Sequence, residues 1–292
     1  MRQDLLAAAR AAVEHDLLPR RLGGGQDGVS VVLGGSAVTD DADEYSGCDL
    51  LVLRSGDGDG EEPLVWCWIN VRRPPFVYRY AALSLQTLRR ALQEADDSAL
   101  NLVRHGVVLH DPTGQLEEIW ALARSLTPSV WRRKLARRYR ALRQRRASLA
   151  WALRRGQPIL VLDNLRLILE HSLACCYHLE GLPAPPPKWV FRGGLRTPAG
   201  RTLRAPVLDL LSSLGDLATL GGSLNLKHNR IYGHVGLIQA AVERALIHAG
   251  LPVPSLAAEA GSEPGTEEAP RAPRARSGRR SQVAGGGRGV VP

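Results

Sequence analysis

The sequence predicts an α/β (α+β) fold, a mixed sheet with flanking helices, followed by an all-α helical domain and a disordered tail. Three observations carry that reading. Short runs of β-type residues alternate with turn residues between Val29 and Leu83. Beyond Thr127 the pattern changes to long helical periods. From Pro252 onward the chain is Ala, Gly, Pro, Glu and Arg with almost no large apolar side chains, a composition that cannot offset the entropy of ordering. The boundaries follow: 1–115 for the α/β domain, 116–251 for the helical domain and 252–292 for a basic tail.

Each element has its own justification. Leu5, Leu6, Ala9, Val13 and Leu17 fall on one helical face, and Gly23-Gly24-Gly25 should end that helix. Val29–Leu33 reads as a buried strand, with Gly34-Gly35-Ser36 turning out of it, and Asp49–Leu53 as a second strand. Leu64–Arg73 and Phe76–Leu83 read as further strands split by Pro74-Pro75. Ser84 can cap a helix starting at Leu85. Pro128–Arg155, Ile159–Leu179, Ala205–Leu220 and Val235–Ala249 are the long helices, with a proline-rich loop from Leu182 to Lys188 between two of them.

Composition narrows the function. The apolar fraction is 44%, that of a globular protein. No run of 18 apolar residues exists, so no membrane span is expected. The first 21 residues read as an amphipathic helix rather than a signal peptide, and a soluble, cytoplasmic protein is expected. Cys48, Cys67, Cys175 and Cys176 lack zinc spacing and are expected to be buried, reduced thiols.

The net charge is +9, and Trp131–Arg155 alone carries eleven Lys and Arg; taking those eleven from +9 leaves −2. No acidic residue occurs from Ile119 to Leu162. Leu135, Leu142 and Leu149 mark a buried face of this helix. Its cations form a solvated surface, a site for RNA, a triphosphate or another polyanion, or a face for a partner protein. The sequence leaves the oligomeric state open.

The chemistry is concentrated in VVLGGSAVTDDADEYSGCDLLVL, Val31–Leu53. Gly35 lets backbone approach a ligand, and the following amides with the Ser36 hydroxyl can hold phosphate. Positions 47, 49 and 51 share a strand face. Carboxylates at 47 and 49 together would hold Mg²⁺ against a triphosphate. Asp49 is present, but position 47 is Gly47. A plain tight turn at Gly35-Ser36, with Asp49 satisfied by backbone amides, is the other reading.

The spacing G-S-x10-D-x-D, met here by Gly35, Ser36 and Asp49, resembles the nucleotidyltransferase superfamily that includes the aminoglycoside and minimal nucleotidyltransferases. HGVVLHDPTGQLEEI resembles the end of that family's catalytic domain, and LEGLPAPPPKWV a loop of its helical domain. The resemblance implies a nucleotidyltransferase-like sheet, NTP and Mg²⁺ as cofactors, Gly35 and Ser36 as the nucleotide-binding residues, and Asp49 as catalytic metal ligand. It implies transfer of an NMP group to a small-molecule or protein acceptor. Two of the three carboxylates it calls for have no counterpart: Gly47 replaces one, and no Asp or Glu occurs between Pro63 and Gln93 for the other. Asp40, Asp41, Asp43 and Glu44 in the intervening loop are the substitutes available. A degenerate metal site is therefore expected, and with it a non-catalytic protein binding nucleotide or RNA as the alternative function.

Overall fold

The computed structural model describes residues 2–22, 28–39, 47–55, 67–73, 76–214, 226–251 and 253. The chain divides into two units, Met1–Gly261 and Ser262–Pro292. The expected tail, the glycines at 23–25 and the carboxylates at 40, 41, 43 and 44 lie outside the described residues.

The first unit begins with α1 (Arg2–Ala12), which widens into a π-helical segment, Val13–Arg21. Pro19 lies inside that segment and has no N–H to donate to an α-helical ladder. Five strands follow: β1 (Val29–Gly34), β2 (Cys48–Arg54), β3 (Ile69–Arg73), β4 (Phe76–Ser84) and β5 (Val107–His110). Their order in the sheet is β3-β4-β2-β1-β5. Only β2 and β4 are parallel; the other neighbours are antiparallel, which makes the sheet mixed.

Helices cover both faces of the sheet. On one face, Ala9 of α1 and Val13 and Leu17 of the π segment pack against Val31, Leu33, Leu50 and Val52. The buried Tyr78 hydroxyl donates to Asp16 at 2.6 Å and ties the π segment to β4; that bond holds the Asp16 carboxyl below its usual range. On the other face, Val32, Leu51, Leu53 and Ala81 meet α2 (Leu85–Gln93), α3 (Asp97–His105) and α4 (Leu116–Arg124). Strand alternation accounts for the division: even positions of β2 face α1 and odd positions face α2–α4. Ser84 caps α2 by accepting from Thr87 N, as expected, at 3.0 Å.

The corner between α2 and α3 is a Schellman turn in which Ala95 N bonds Leu92 O and Asp96 N bonds Ala91 O. The left-handed position, φ 55°, is occupied by Ala95 rather than glycine. Lys134 Nζ donates to the Ala95 carbonyl.

The remaining helices are α5 (Pro128–Arg154), α6 (Pro158–Leu179), α7 (Pro187–Gly194), α8 (Pro198–Arg201), α9 (Arg204–Ser213) and α10 (Arg230–His248). Their core is built from Leu135, Leu142 and Leu149 of α5 with Ile168 and Leu173 of α6 and Val235 and Ile238 of α10. The leucines of the seven-residue repeat are thus buried as their spacing requires. The proline loop leads directly into α7. Cys48, Cys175 and Cys176 are buried free thiols, and burial pushes Cys176 up to about 12. Cys67 departs from expectation: it precedes β3 on the sheet's edge side and is exposed.

Candidate functional site

The Gly-Ser turn and Asp49 come together because β1 and β2 pair antiparallel, with Gly34 opposite Asp49. Gly35 has φ +70°, and a Cβ built there would lie 2.2 Å from Asp49 Oδ2. Only glycine lets the backbone reach this close to the carboxylate. Ser36 is buried in the 3-10 turn Gly35–Val38, whose end is closed by Thr39, N–H and hydroxyl both donating to Ser36 O at 3.2 Å.

Asp49 itself is 7% exposed, and both of its oxygens are taken. In the parallel pairing, Arg79 of β4 stands directly opposite it. Arg79 Nε donates to Oδ1 at 2.5 Å and Nη2 to Oδ2 at 2.7 Å. This is the planar two-bond fork that fits guanidinium to carboxylate. Those bonds push the Arg79 pKa still higher. The guanidinium also lies 4.6 Å from the centre of the Trp68 ring. Where the resemblance calls for a further carboxylate on a later strand, and the sequence has none, β4 presents a fixed cation to Asp49. Asn70, the short side-chain oxygen on β3, is paired opposite Arg79 and exposed.

Gly47 is exposed just before β2, with open space around a built Cβ and no left-handed φ. Nothing in the backbone forbids a carboxylate there. Among the described residues no group of three or more His, Cys, Asp or Glu comes together. Mg²⁺ demands near-octahedral oxygen ligation and surrenders its waters reluctantly. A single carboxylate whose two oxygens already bind a guanidinium does not fit that ion.

A second polar centre was not legible in the sequence. Asp97, at the first turn of α3, is a hub. Its Oδ1 accepts from Lys134 Nζ at 2.9 Å, His178 Nε2 at 3.0 Å and Ala184 N at 3.2 Å. Its Oδ2 accepts from Arg138 Nη2 at 3.0 Å. These partners hold the carboxyl well below its usual range in spite of burial. Arg138 also approaches His171 Nδ1 at 3.4 Å, and burial with the arginine charges lowers His171 to about 4. Burial likewise lowers His178. The hub joins α3 to α5, α6 and the proline loop.

The basic helix α5 is therefore not one uniform surface. Lys134 and Arg138 point to Asp97, and Arg146 bonds Gln239 at 2.9 Å and covers the Tyr232 ring. Arg133, Arg137, Arg140, Arg143, Arg145, Arg154 and Arg155 form no ion pair among the described residues.

A family model described as a domain of unknown function, DUF4037, matches residues 93–190, a stretch that contains the whole Asp97 hub and none of the Gly35–Asp49 site. No curated protein sequence is significantly similar to the chain. Among solved structures, the chain is similar to a nucleotidyltransferase-like protein from Exiguobacterium sibiricum 255-15 at 15% identity and a TM-score of 0.46, over 82% of this chain and 74% of that one.

Proposed function

We propose that this chain is a nucleotidyltransferase-superfamily protein that binds nucleotide through Gly35 and Ser36 without Mg²⁺ and does not transfer it. The observation that carries this reading is the Arg79 fork on both oxygens of Asp49. A guanidinium supplies a cation where the superfamily resemblance calls for a metal, but it cannot coordinate a nucleophile or a leaving oxygen as a metal does. The meeting of Gly35, Ser36 and Asp49 in space supports the superfamily reading, because the G-S-x10-D-x-D spacing serves that approach. Arg79, 37% exposed in its side chain, is placed to donate one of its three remaining N–H groups to a phosphate oxygen.

The test is calorimetric titration of ATP and GTP with and without Mg²⁺, beside a turnover assay with radiolabelled nucleotides. The expected result is binding that is insensitive to Mg²⁺ and no turnover. Strong Mg²⁺ dependence with transfer to an acceptor would mean that Asp40, Asp41, Asp43 or Glu44 completes a working site, and the pseudoenzyme reading falls. Loss of binding in Ser36→Ala together with Arg79→Ser, in folded protein, is the positive control.

A further inference from the structure

The arginines of α5 that are not spent on internal contacts are ordered by the helix itself. At 3.6 residues per turn, Arg133, Arg137, Arg140, Trp151 and Arg155 fall on one stripe, with Gln144 and Ser148 at the intervening turns. All are exposed except the half-buried Arg140. The stripe is about 33 Å long at 1.5 Å per residue. No carboxylate lies on it: α5 contains none, and Asp97 takes its cations from elsewhere on the helix.

The stripe ends on an aromatic platform. Trp151 is 46% exposed, a costly position for the largest side chain. The Arg155 guanidinium sits 3.9 Å from the centre of its ring. Beside it, between α5 and α6, opens a cleft of about 480 Å³ lined by Arg145, Ser148, Trp151, Leu160, Asp163 and Asn164. Asp163 is already paired with Arg166 at 3.3 Å. Asn164 is buried; its Nδ2 donates to Leu160 O at 2.7 Å, which fixes the amide's orientation. Its Oδ1 then has no partner among the described residues.

We infer that α5 binds a single-stranded nucleic acid, with phosphates along Arg133, Arg137 and Arg140 and one unstacked base against Trp151 at the cleft. Each feature selects that ligand. A row of unpaired arginines at one-turn spacing follows a phosphate backbone. An exposed indole flanked by arginine is a stacking platform, and only an unpaired strand can deliver a base to it. A lipid surface or a duplex would use the arginines and leave the exposed indole unexplained. This inference is independent of the Asp49 site.

The test is fluorescence anisotropy with fluorescein-labelled RNA and DNA of one mixed sequence, roughly ten nucleotides long, against the same DNA as a duplex. The stripe accommodates about half that length in extended single strand, within the site sizes of such proteins. Single strands of either sugar are expected to bind more tightly than the duplex. Trp151→Ala should weaken binding by about 5- to 150-fold, the range for one stacked base, and Trp151→Phe should restore most of it. The triple change Arg133→Ser, Arg137→Ser and Arg140→Ser should lower the slope of log affinity against log salt by about 2. Arg133, Arg137 and Trp151 are exposed and Arg140 is half-buried, and unchanged melting temperatures confirm folded variants. Equal or tighter duplex binding overturns the inference, as does an unchanged affinity in Trp151→Ala. Capture by phosphatidylserine vesicles with no oligonucleotide binding overturns it too and assigns the stripe to a membrane surface.

Discussion

Replacing Asp97 by Asn removes one negative charge from a site where four donors converge. The side chain is 13% exposed, so water cannot replace it. The isosteric amide can still accept through one oxygen, but its nitrogen meets donors only, and Lys134 and Arg138 are left without a counter-charge. Removing one partner of a buried charge network costs ~3–5 kcal/mol, because the remaining charges stay desolvated. For a folded unit of this size, each kcal/mol lowers Tm by roughly 2–4 °C. Asp97→Asn should therefore lower Tm by roughly 6–20 °C in differential scanning calorimetry at neutral pH. Lys134→Met in the same background should cost less than it does alone, because its charge has already lost its partner. The pH profile gives a second check. The folded-state pKa of Asp97 lies below its unfolded value, so its stabilisation is present above the unfolded pKa and is lost as pH falls through the folded one. The variant should lack that acid-side decline. A Tm within about 2 °C of the native protein would show that the hub's charges are balanced by solvent and would refute this reasoning.

Three further outcomes follow from the geometry. Gly35→Ala must place a methyl group onto Asp49 Oδ2 from a left-handed backbone; the strain and the displaced Arg79 fork together should cost about 2–4 kcal/mol in denaturant melts. The pair Gly47→Asp and Arg79→Asp puts carboxylates beside and opposite Asp49; it should be destabilised without metal and regain stability with Mg²⁺, whereas the native melting curve stays unmoved by the ion. His171 is lowered to about 4, against about 6.5 when unfolded, so it stays neutral in the fold while the unfolded chain takes up protons. Its contribution is full above about pH 6.5 and is lost as pH falls toward about 4; His171→Gln should flatten that part of the thermal profile.

Much of the sheet was legible because its determinants are local. Val31–Leu33 in β1 and Leu50–Leu53 in β2 are unbroken apolar runs, and such runs mark strands buried on both faces. Ser84 announces α2 by its own hydroxyl. β5 was not legible: at four residues, Val107–His110, it has too little pattern to separate from a loop, and only pairing with β1 makes it a strand. The absence of acids between Pro63 and Gln93 pointed to a damaged site, but placing Arg79 opposite Asp49 needs the β2–β4 register, which no local pattern encodes. The eleven cations of Trp131–Arg155 look alike in sequence; Asp97, 37 and 41 positions before Lys134 and Arg138, sets those two apart. In EADDSALN the two aspartates are equally good capping residues. Asp96 caps α3, and Asp97 becomes the hub through partners far along the chain.

The alanine at the corner between α2 and α3 has a consequence in time rather than in structure. A left-handed alanine costs about 1 kcal/mol where glycine would cost little, so the corner is weak when formed by local residues alone. Lys134, whose ammonium holds the Ala95 carbonyl, emerges from the ribosome 39 residues later. At ~5–20 residues per second, the nascent corner waits roughly 2–8 seconds for its clamp. The sheet and its first covering helices can assemble during that interval, while α3 keeps its freedom to move until α5 arrives.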